Sequence, residues 1–208
     1  VTESLDTVIE APAAQPLLTR LLRFHEEWFG DSSDEITAFL AELVSRDLPR
    51  FWWAVERLSV LYTSREAWEP LLALYDNALD ASISESQRIQ VLNEAAECAK
   101  DFAGLPERAC DYLEALAKLR PDDERVFSTL EKLFERVAEG LDDPSEIKAR
   151  LRIWRRLADL YARRAAVVSG LDVLKIQLSR ATVLAEGLQA GEEAVAEAAP
   201  ALDAEELA

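Results

Sequence analysis

One spacing of large side chains recurs along this chain and narrows its fold more than any other feature. Trp68 is followed by Leu71, Leu74 and Tyr75, Phe127 by Leu130, Leu133 and Phe134, and Trp154 by Leu157, Leu160 and Tyr161. Val55, Leu58, Leu61 and Tyr62 form a weaker copy. Offsets of three, six and seven residues bring all four side chains to one side of two helical turns. Each copy is then a helix with a broad apolar face, too short to bury that face alone. Such helices must stack. Repetition at intervals of tens of residues points to an array of helical hairpins, a superhelix or solenoid without a single centre.

The rest of the sequence agrees. Glycine occurs only 6 times and proline 8 times in 208 residues, while Ala, Leu, Glu and Arg dominate, a composition that favours helix throughout. No run alternates β-branched or aromatic residues at period two, so no strand is expected. Caps and breakers then divide the chain into about nine helices. The first opens at Pro16 and ends at Gly30, and the second runs from Asp34 to Asp47. Pro49 opens the third, and Thr63-Ser64 separates it from the fourth, which runs to Ala81. Ser84 or Ser86 caps the fifth, which carries Ile89, Leu92, Ala95, Ala96, Ala99 and Phe102. The sixth starts at Pro106 after Gly104. The seventh follows Pro121-Asp122-Asp123, and the eighth follows a turn at Gly140 to Pro144. Gly170 precedes the ninth, which extends to Gln189. In the eighth helix Ile147, Leu151, Trp154, Ala158, Tyr161, Ala165 and Val168 alternate steps of four and three, a heptad-like seam. The expected fold is therefore all-α: an αα-hairpin array with no sheet. Residues 1–15 read as a disordered lead-in and 16–190 as a helical repeat domain. Within that domain 16–63 are N-terminal helices, 64–168 the repeats and 171–190 a C-terminal helix. Residues 191–208 read as a flexible Ala/Glu-rich tail.

From Ile89 to Phe134 the chain resembles the tetratricopeptide repeat family. Leu92, Ala95, Ala96 and Ala99 match that family's first-helix positions, and Ala109, Leu113 and Leu116 its second-helix positions. Pro121 matches the terminal proline, and Phe127, Leu130 and Phe134 the start of the next unit. The small residue after the first-helix leucine is Ala96 in one unit but Glu131 in the next, and the linkers vary, so the repeats are divergent and hold no strict 34-residue register. The resemblance covers roughly residues 50 to 165. It implies stacked hairpins forming a groove for a peptide or helix of another protein.

Catalytic chemistry finds few handholds. His25 is the one histidine, which leaves no pair for a helical zinc site or a di-iron bundle, and it reads as a surface residue. Cys98 and Cys110 flank Gly104 and read as small buried apolar residues; a disulfide between them is the alternative. Asp122-Asp123 and Asp142-Asp143 resemble the aspartate pairs that bind magnesium in helical terpenoid-forming enzymes, but both stand at turns where capping explains them. There is no phosphate-cradling glycine loop and no Gly-x-Ser-x-Gly nucleophile motif. A non-enzyme without metal or cofactor is expected.

The net charge of −17 repels phosphate backbones and argues against nucleic acid. No run of about 18 apolar residues offers a membrane span, and the acidic start has no signal-peptide core. A cytoplasmic location is the default. The chain begins at Val1 and contains no methionine, which reads as an excised fragment or processed form.

Against that acidity the eighth helix stands out. It carries Lys148, Arg150, Arg152, Arg155, Arg156, Arg163 and Arg164, opposed only by Asp159. Lys148, Arg152, Arg155, Arg156 and Arg163 fall broadly on one face, away from the Ile147/Trp154/Tyr161 seam. They would take an acidic peptide, a carboxylate terminus or another anion. The competing reading pairs them with acidic neighbours such as Glu131, Glu135 and Glu139. The consecutive Phe51, Trp52 and Trp53 cannot all hide on one helix face, so Trp52 and Trp53 join the expected partner contacts. The functional expectation is a non-catalytic scaffold or adaptor for another protein or peptide. A structural subunit that self-associates is the alternative, and an all-helical enzyme or small-ligand carrier the third reading.

Overall fold

A computed structural model describes residues 16, 17, 19, 20, 23, 24, 34–141 and 143–188. They hold eight α-helices and no strand, so the all-α expectation holds for them. The expected lead-in at 1–15 and tail at 191–208 lie outside the described residues, as do His25 and Asp142. Of the expected first helix, residues 16, 17, 19, 20, 23 and 24 are described, and they are helical.

The helices are α1 Asp34–Arg46, α2 Trp52–Ser64, α3 Trp68–Asp80, α4 Glu85–Glu97, α5 Pro106–Leu119, α6 Glu124–Gly140, α7 Ile147–Ala165 and α8 Leu171–Thr182. They correspond one for one to the second through ninth expected helices. A π-type turn, Cys98–Phe102, closes α4, another, Val183–Gly187, follows α8, and a 3-10 turn, Pro144–Glu146, leads into α7. Contacts divide the chain into two compact units, Val1–Arg88 and Ile89–Ala208. In the first unit α1 packs on α2 and α2 on α3. In the second, α5 packs on α6, α6 on α7, and α7 on both α8 and the turn that follows it. Sequence neighbours pack as spatial neighbours because the turns are short.

Local chemistry explains several boundaries. Ser84 and Gln87 form a capping box at α4. The Gln87 N–H donates to Ser84 Oγ at 3.3 Å, and the Ser84 N–H donates to Gln87 Oε1 at 2.9 Å. Asp123 caps α6 by accepting from the Arg125 and Val126 N–H groups. Asp143 accepts from the Ser145 N–H at 2.7 Å, and these hydrogen bonds hold its carboxyl below the usual carboxylate range.

Two boundaries differ from expectation. Pro49 does not open α2; residues 48–50 form a turn in which the Asp47 carboxylate accepts from the Arg50 N–H at 3.2 Å, and the helix begins at Trp52. The break between α2 and α3 lies at Arg65 to Ala67 rather than at Thr63-Ser64, with Glu66 in the left-handed region at φ +54°.

The recurring pattern contributes its leucines and second aromatics to the core. Leu71, Leu74 and Tyr75 are buried in α3, Leu130, Leu133 and Phe134 in α6, and Leu157, Leu160 and Tyr161 in α7. The leading residues of the three copies, Trp68, Phe127 and Trp154, are only half-buried. No polar or charged residue is buried among the described ones.

Candidate functional site

The basic helix α7 positions the expected site, and its packing rotates the predicted seam. Ile153, Leu157, Ala158, Leu160 and Tyr161 are buried, whereas Ile147 and Leu151 are 46% and 38% exposed. The heptad count placed the stripe one flank too far round. α7 is covered by α6 on one side and by α8 and its terminal turn on another, so its inward face is wider than a two-helix seam.

That rotation divides the five predicted cations. About 100° per residue carries Arg156 and Arg163 further round the helix than Lys148, Arg152 and Arg155, toward α5. The Arg156 guanidinium donates to Asp111 Oδ1 at 2.6 Å and to Glu114 Oε2 at 3.1 Å, and lies 5.0 Å from the centre of the Phe134 ring. Arg163 reaches Glu114 Oε1 at 3.7 Å. These carboxylates belong to α5, not to the expected Glu131, Glu135 and Glu139 of α6. Glu131 is engaged differently: it accepts the Tyr161 hydroxyl hydrogen bond, and burial together with that bond pushes the Tyr161 phenol above its usual range. Arg156 is thus a packed ion-pair partner. Lys148, Arg152 and Arg155 are exposed on the outward face and form no ion pair among the described residues.

Beside this open row, on the flank of α7 facing Val183–Gly187, lies a groove of about 620 Å³. Ile147, Leu151, Trp154, Val183 and Leu188 supply its apolar walls, and Glu135, Glu139 and Glu186 its acidic edge. Gly187 lets the turn approach the indole closely: a Cβ there would stand 2.8 Å from Trp154 Cγ. Burial, with Glu131 and Glu139 nearby, pushes the Glu135 carboxyl above the usual range.

Trp52 and Trp53 sit in the first unit and are half-buried, while Phe51 is buried. The Trp52 indole donates to Glu56 Oε1 at 3.0 Å. Trp53 turns its Nε1 inward, where it meets no acceptor. The structure therefore places neither ring whole at the surface. Cys98 and Cys110 are both free and buried. Burial pushes the Cys110 thiol up to about 12 and raises that of Cys98, which makes both poor nucleophiles.

Sequence reasoning missed a second cationic cluster. Lys118 and Arg120, at the end of α5, meet Arg163 and Arg164, at the end of α7, around a pocket of about 320 Å³. Charge counting along one helix cannot find it, because its members come from two helices 43 residues apart between Arg120 and Arg163. Among the described residues, no cluster of three or more His, Cys, Asp or Glu side chains is placed to hold a metal ion. No described helix is long and apolar enough to cross a membrane.

No protein-family model matches this chain, and no curated protein matches its sequence.

Proposed function

We propose that the chain is a non-catalytic protein-interaction scaffold, a divergent tetratricopeptide-like αα-hairpin array that holds an acidic segment of a partner protein. The observation that carries this reading is the open row of Lys148, Arg152 and Arg155 on α7, three outward cations without a counter-ion in a chain of net charge −17. On the neighbouring flank of α7, Arg156 and Arg163 are matched to carboxylates of α5, so an unmatched row beside them is a surface shaped for charge from outside. The adjoining apolar walls of Ile147 and Leu151 would take hydrophobic anchors between the acidic groups. The array itself rests on the sequential packing of helices within each unit and on the recurrence of one aromatic–leucine pattern. In the first unit, the accessible part of Trp52 and Trp53 offers a further contact. A cytoplasmic location fits an acidic chain of this kind.

The test is affinity capture from a lysate of the source cells. The native chain is compared with a variant carrying Lys148→Glu, Arg152→Glu and Arg155→Glu, after circular dichroism establishes that both fold alike. A discrete partner retained by the native chain and lost by the variant supports the row. Equal capture by both removes the row from the function, and absence of any partner removes the scaffold reading.

A structural subunit is the second reading, and a specific observation favours it. Leu171 and Leu178 on α8 are 75% and 52% exposed, and their spacing of seven puts them on one face. Mass that rises with concentration, and falls back on Leu171→Glu with Leu178→Glu, would select self-association.

A further inference from the structure

The pocket at the C-terminal ends of α5 and α7 has the chemistry of an anion site. Lys118, Arg120, Arg163 and Arg164 converge on it, with Phe127 and Leu160 among its apolar walls. Arg164 stands 5.5 Å from the centre of the Phe127 ring and donates to the Pro121 carbonyl at 2.9 Å, which fixes its guanidinium beside the opening. The one carboxylate in the lining is Asp123. It is already engaged, since it caps α6 and lies 3.8 Å from Arg120.

Helix termini alone account for part of this cluster. The C-terminus of a helix presents about half a negative charge, which attracts cations. Two such termini amount to about one charge. With Arg163 set against Glu114 and Arg120 against Asp123, Lys118 and Arg164 remain without a carboxylate among the ion pairs of the described residues. The cationic charge exceeds what the two termini balance. Nor does the macrodipole explain a cavity with a phenyl wall between the cations. A volume near the lower end of ligand pockets, mostly apolar, with a few polar groups converging at its mouth, fits a small group rather than a whole helix.

We propose that this pocket binds an oxyanion carried on an apolar body: a carboxylate or phosphate monoester whose charge meets Lys118, Arg163 and Arg164 and whose hydrocarbon part lies against Phe127 and Leu160. Arg163 and Arg164 supply forked donors suited to either oxyanion, and Lys118 supplies a point charge. The site lies at the opposite end of α7 from the open row of Lys148, Arg152 and Arg155, and it stands whether or not that row binds a partner.

The experiment titrates the full chain with N-acetylphenylalanine and, separately, with phenyl phosphate, following backbone amide resonances by NMR. N-acetylphenylalaninamide is the uncharged control. The expected result is saturable shifts at Phe127, Ala166 and Lys118 with at least one of the two anions, with a dissociation constant of roughly 1 mM, and no saturation with the amide. Preference for N-acetylphenylalanine identifies a carboxylate source, and preference for phenyl phosphate a phosphorylated one. Arg163→Gln should weaken binding about tenfold, the worth of one charge-assisted hydrogen bond. Lys118→Gln, at an exposed position, should weaken it with the folded spectrum unchanged, which keeps the test independent of packing around Arg164. Failure of both anions to saturate, equal binding of the amide, unweakened binding by Lys118→Gln, or shifts confined to Lys148–Arg155 would each overturn the proposal. The last of these would speak for the open row instead.

Discussion

Two flanks of α7 carry similar charge and have opposite fates. On one, Arg156 lies between Asp111 and Glu114 and against Phe134, and Arg163 reaches Glu114. On the other, Lys148, Arg152 and Arg155 point outward. The difference comes from α5, whose Asp111 and Glu114 stand beside the flank that holds Arg156 and Arg163. An arginine becomes a structural residue where a neighbouring helix brings a carboxylate within hydrogen-bond reach and water is partly excluded; elsewhere it remains a solvated charge.

The largest test of that contrast is Arg156→Ala. It removes the nearer cation of Glu114, whose side chain is 18% exposed, and leaves only Arg163 at 3.7 Å. A loss of about 2–3 kcal/mol in urea unfolding is expected. A loss below about 0.5 kcal/mol would put Arg156 in the same class as an ordinary surface pair.

Next comes the packing beside the open row. Gly187→Ala drives a methyl into the Trp154 indole, so the turn must shift. The expected cost is about 1–2 kcal/mol, read by unfolding and by a red shift of tryptophan emission as the ring is uncovered.

Glu135→Gln should have a smaller effect of the opposite sign. The folded state raises this carboxyl above its unfolded value, so the charged form is destabilised by folding. That penalty is fully present above the folded pKa and vanishes as pH falls below the unfolded one. The variant should gain a few tenths of a kcal/mol, roughly, at neutral pH, and the gain should fade on acidification. A variant that loses stability at neutral pH would mean that Glu135 is paired rather than crowded.

A similarly small effect on stability is expected for the open row. Lys148→Glu, Arg152→Glu and Arg155→Glu together should change stability by no more than about 0.5 kcal/mol, against the larger loss for Arg156 alone. A comparable loss from both would erase the distinction between the two flanks.

Most of the architecture was legible because periodicity, caps and breakers act locally. Ser84, one of the two expected caps, and Pro106, Asp123 and Gly170 each stand at a helix boundary where expected. Where local rules competed, the nearer hydrogen bond won, as when Asp47 formed a turn across Pro49. The site was less legible. Its cations were visible in α7, but a helical wheel has no information about which flank a neighbour covers. The predicted seam therefore kept Ile147 and Leu151 inside, and Arg156 was grouped with charges that face solvent.

What the sequence by itself determined is thus the all-helical class, most of the helix boundaries and the apolar pattern within the helices, since each depends on residues a few positions apart. What only the tertiary structure decided is which cation is matched and which is open, and that Lys118 and Arg120 join Arg163 and Arg164 around one pocket. Those outcomes depend on charges brought together from helices tens of residues apart. Coulomb energy follows distance in space and the exclusion of water, and neither is written in the spacing along one helix.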